Sequence, residues 1–90
     1  MTHKVERQAR SLANSEECID RFETVYTEGK QESLDYVSHL EYVINKLTNE
    51  FITHNDELTI EPDSGETLFK AIFQRQISEQ FQRTREISVD

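Results

Sequence analysis

Between residues 31 and 54, Tyr36, Val37, Leu40, Val43, Ile44, Leu47 and Phe51 fall within one arc of about 120° when the chain is wound at 100° per residue. A strand would scatter the same residues over both of its faces. The segment therefore predicts a helix of roughly 36 Å, the spine of the domain. Val37, Leu40, Ile44, Leu47 and Phe51 also step 3-4-3-4, the coiled-coil rhythm. The run covers about two heptads, short of the three to four that mark a coiled coil. Leu40, Ile44 and Leu47 lie at the centre of the arc, and full burial is expected of them.

Two further helices bracket the spine. Cys18, Ile19, Phe22, Val25 and Tyr26 share about a third of a helical circumference, and Glu16, Glu17, Asp20, Glu23 and Glu28 occupy the rest. Asn14 or Ser15 has the chemistry of an N-cap, and Gly29 stands where a C′ glycine belongs. Leu68, Phe69, Ile72, Phe73, Ile77 and Phe81 form a wider, drifting arc over residues 65–85. An arc that wide needs two neighbours, or one neighbour and a second chain.

Residues 1–13 hold Val5, Ala9, Leu12 and Ala13 at helical spacing among Lys4, Arg7 and Arg10, which reads as a basic arm or short helix. The segment 55–65 interrupts the pattern, and Pro62 disfavours helix at Glu61. Residues 58–60 and 87–89 alternate, so a minimal two-strand ladder between them is compatible with the pattern, as is a loose tail over 86–90.

The expected fold is thus all-α. One domain, residues 1–90, is a small bundle of three main helices at about 15–28, 31–54 and 65–85, with the N-terminal arm added. Two glycines and one proline leave few breaks, so connections should be short and neighbours antiparallel. The apolar fraction of 34% gives a thin core. Thin cores invite assembly, so a homodimer or larger oligomer is expected, with Phe73, Ile77 and Phe81 at the interface.

Charge divides sharply along the chain. Residues 14–67 hold 14 of the 18 carboxylates but three of the ten Lys and Arg, and so net −11, which the flanking segments reduce to −8 overall. Rows of carboxylates can stand in for phosphates and occupy a basic groove on another protein. Glu16, Glu17, Asp20, Glu23, Asp56, Glu57, Glu61 and Asp63 are the residues expected to meet such a partner. The competing account is a solvated face, with acidic residues favoured near a helix N-terminus by its dipole.

Other chemistry is thinner. Asp35 and His39 stand at i,i+4 and are expected as a solvated pair, and His54, Asp56 and Glu57 cluster beyond the spine. No spacing supplies the three or four converging ligands of a metal site, so neither a metal nor another cofactor is expected. Cys18 lies in an apolar arc without an evident base, as a core residue would. No Gly-rich phosphate loop and no Ser/His/Asp arrangement occurs, so no enzyme is expected. Lys70, Gln74, Arg75, Gln82 and Arg85 line the polar side of the last helix, but net charge −8 repels a duplex.

One cysteine allows no internal disulfide, and a reducing, cytoplasmic setting is expected. The first ten residues contain no apolar stretch of the signal-peptide kind, and no run approaches a membrane span. The expected function is a non-catalytic inhibitor or regulator that covers a basic, nucleic-acid-binding surface of a partner protein. A self-assembling scaffold subunit is the alternative, and nucleic-acid binding through the last helix a distant third.

Overall fold

A computed structural model describes residues 2–32, 35–53 and 64–87 of the chain. They form an all-α bundle of four helices: α1 (Thr2–Ala13), α2 (Glu16–Gln31), α3 (Tyr36–Thr48) and α4 (Ser64–Ile87). One π-helical turn, Asn49–Thr53, extends α3. α1 lies against α4, α2 against α3, and α3 also against α4. Cross-helix contacts set the directions. Arg21 meets Glu50 while Tyr26 meets His39, so α2 and α3 run antiparallel. Phe51 meets Phe73 while His39 meets Phe81, so α3 and α4 do too.

The basic arm is a complete helix. Ala9 and Ala13 are fully buried, and side chains this small let the α1 backbone come close to α4. The break after α1 is made by one hydroxyl. Ser15 Oγ donates to Leu12 O at 2.7 Å and accepts from Cys18 N at 3.2 Å, closing α1 and capping α2 together. From α4, Gln80 Nε2 donates to Ala13 O at 2.9 Å, satisfying a carbonyl that the end of α1 leaves unpaired.

The spine expected over 31–54 starts later and runs through α3 and its π-helical turn, Tyr36 to Thr53. α2 continues through Gly29 to Gln31, and α3 begins only after Asp35, whose Oδ1 accepts from Ser38 N at 2.8 Å. That bond, with further bonding from Ser38, holds the exposed Asp35 carboxyl below the usual carboxylate range. Gly29 is therefore an interior residue of α2 and not its C′ cap.

The buried stripe of α3 is broader than the expected one and shifted toward His39. His39, Val43, Leu47 and Thr48 are buried, while Leu40 and Ile44 are half-buried and Val37 is 60% exposed. The shift follows from packing: α2 sits on the side of His39 and Tyr42, so the core centre moves toward it. Ile19, expected in the α2 stripe, is likewise exposed.

α4 buries Phe69, Phe73, Ile77 and Phe81, one row at i+4 spacing. Its wide arc is covered by α1 and α3 of the same chain. Phe73, Ile77 and Phe81, expected between copies, are thus interior to the single chain. The ladder expected between 58–60 and 87–89 is not present at Ile87, which ends α4, and no strand occurs among the described residues. Residues 54–63 and 88–90 lie outside the described residues.

Three substitutions test this packing. Leu47→Ala should cost about 2–5 kcal/mol, because Leu47 is fully enclosed, whereas Val37→Ala should change stability by less than about 0.5 kcal/mol. Urea denaturation of both variants measures the difference, and equal losses would reject the shifted stripe. For Gly29→Ala, helix propensity alone forecasts a gain of about 1 kcal/mol. A Cβ there would stand 2.6 Å from His39 Cδ2, so we expect a net loss of about 1–3 kcal/mol in the same assay.

Candidate functional site

Charge segregation along the chain becomes segregation between packed helix pairs. Residues 16–53 hold nine carboxylates against three Lys and Arg, a net −6. Within α1 and α4 the sequence has seven Lys and Arg against four Glu, a net +3. Because α2 lies on α3 and α1 on α4, one layer of the bundle is acidic and the other basic.

α2 presents the acidic row. Its inner face is Cys18, Phe22, Val25, Tyr26 and Gly29, so the opposite face must look outward. Glu16, Glu17, Asp20 and Glu23 are all exposed there, as expected, and Glu28 continues the row. From Glu16 to Glu23 the row spans about 10 Å of helix. Glu16 and Glu17 occupy the first turn, where the helix dipole favours negative charge. Asp56, Glu57, Glu61 and Asp63, expected to extend the surface, fall outside the described residues, as does His54.

α2 itself contains two cations, Arg21 and Lys30. Arg21 is turned off the row toward the π-helical turn. Its Nε donates to Glu50 Oε2 at 3.0 Å and its Nη2 to Glu50 Oε1 at 2.7 Å, a two-pronged pair bridging 29 residues of sequence. The guanidinium holds the Glu50 carboxyl below its usual range, chiefly by hydrogen bonding, and Glu50 in turn raises the pKa of Arg21. Sequence reasoning missed this pair, because nothing in the local spacing links residues 21 and 50. Lys30 lies at the far end of α2, in its last turn.

Asp35 and His39 do not form the solvated pair expected of them. Asp35 caps α3, and His39 is only 8% exposed. The imidazole Nε2 lies 2.8 Å from Tyr26 O, an acceptor, so Nε2 carries the hydrogen. The ring lies tilted against Tyr26, centroids 4.6 Å apart, and meets Phe81 edge-on at 4.8 Å. Its surroundings are those of a structural group. The rim of this aromatic cluster is Tyr36, with the Arg85 guanidinium 4.3 Å above its ring.

Cys18 is fully buried, as expected of a core residue. Burial, reinforced by Glu50 and then Glu17, pushes its thiol up to about 12, so it carries no thiolate at neutral pH. Among the described residues, no three His, Cys, Asp or Glu converge as metal ligands would, and no helix is long and apolar enough to cross a membrane. The chain matches no protein-family model, no curated protein and no solved structure.

The native Cys18 thiol should resist a thiol-labelling reagent at pH 8 and react once urea unfolds the chain. Its folded pKa is raised, so the stability it contributes is complete below pH 9 and is lost as pH climbs from 9.0 toward 12. Fast labelling of the folded protein would place Cys18 at the surface. For Arg21 and Glu50, a double-mutant cycle with alanine should give a coupling of about 0.2–1 kcal/mol, since both side chains are partly solvated. The coupling should shrink in 1 M salt, and also as pH falls through the lowered pKa of Glu50. A coupling of zero at low salt would mean that the pair does not hold in solution.

Proposed function

We propose that this protein is a non-catalytic binding module whose acidic α2 face covers a basic, nucleic-acid-binding surface of a partner protein, inhibiting or regulating it. The observation that carries the proposal is the position of Arg21. It is the one cation within the first three turns of α2, and it is tied to Glu50 on the neighbouring element. Glu16, Glu17, Asp20 and Glu23 are left as an exposed row without a counter-charge from their own helix. A rigid row of this kind resembles a phosphate backbone in charge and exposure, and a partner's Lys and Arg groups would meet it without rearrangement of the bundle.

A self-assembling scaffold resting on the apolar stripes is the competing role, with Phe73, Ile77 and Phe81 expected at an interface between copies. Those side chains are spent inside the single chain, so no observation favours that role over the binding module. The basic residues of α4 include Arg75, Arg83 and Arg85, but Arg85 stacks on Tyr36 and the chain as a whole carries −8.

The test is affinity capture with the wild-type protein and with the triple variant Glu16→Lys, Asp20→Lys, Glu23→Lys. All three positions are exposed, so circular dichroism should show an intact helical fold. Wild-type protein should retain a basic protein at 0.1 M salt and release it at 1 M, as the Debye length shrinks from ~10 Å to ~3 Å. With that partner purified, the triple variant should associate more slowly, with less change in dissociation. Unchanged kinetics and no salt dependence would discard the acidic face as the binding surface.

A further inference from the structure

We draw no further inference here: the strongest candidate, the apolar flank of α3 where Val37 stands 60% exposed beside half-buried Leu40 and Ile44, carries nothing because no feature of the structure shows what covers it.

Discussion

The imidazole of His39 sits where three helices meet, and the arrangement of the bundle depends on how it is seated. It projects from α3, donates to the Tyr26 carbonyl of α2, and lies edge-on against Phe81 of α4. Gly29 makes the seat possible, because any side chain there would occupy the space of the imidazole ring. The hydrogen bond removes most of the penalty for burying a polar ring, and the aromatic contacts supply packing around it. α2 comes close to α3 at this point, on the side of α3 where His39 is buried.

Charge and packing reinforce each other in the bundle. Apolar burial pairs α1 with α4 and α2 with α3, and the composition of those pairs sorts the charges into a basic and an acidic layer. Local repulsion within the acidic layer is moderated on one flank by the Arg21–Glu50 pair, which joins α2 to the π-helical turn. The same pair withdraws Arg21 from the outward row. A tertiary contact of modest stabilising value thereby shapes the electrostatic surface on which the proposed function rests.

Much of this is legible in the residues, and what is not legible shares one physical cause. The helices containing Cys18–Tyr26 and Phe69–Phe81 were visible as apolar stripes, and the exposed acidic row follows from the first of them. Gly29 has the local chemistry of a helix terminus, whereas its small size serves a neighbour ten residues away in sequence. One helix, taken alone, has one apolar centre, and that leaves His39 on the solvated side. Contact with α2 on one side and α4 on the other moved that centre. The wide arc that holds Phe73, Ile77 and Phe81 does not by itself distinguish a second chain from a second helix of the same chain, and α1 lies on it. Ala9 and Ala13 provide that cover through close approach and not through bulk.

Sequence alone therefore determined the helical class, the break at Asn14–Ser15, the buried row of α4 and the outward acidic face of α2. Each of these depends on spacing within one helix or on a cap a few residues away, interactions that act locally along the chain. Tertiary structure alone decided the phase of α3, the interior place of Gly29 and His39, the pairing of Arg21 with Glu50, and the coverage of α4 by α1. Those features join residues far apart in sequence, and their energies depend on which helix faces which. No periodicity within a single segment records that choice.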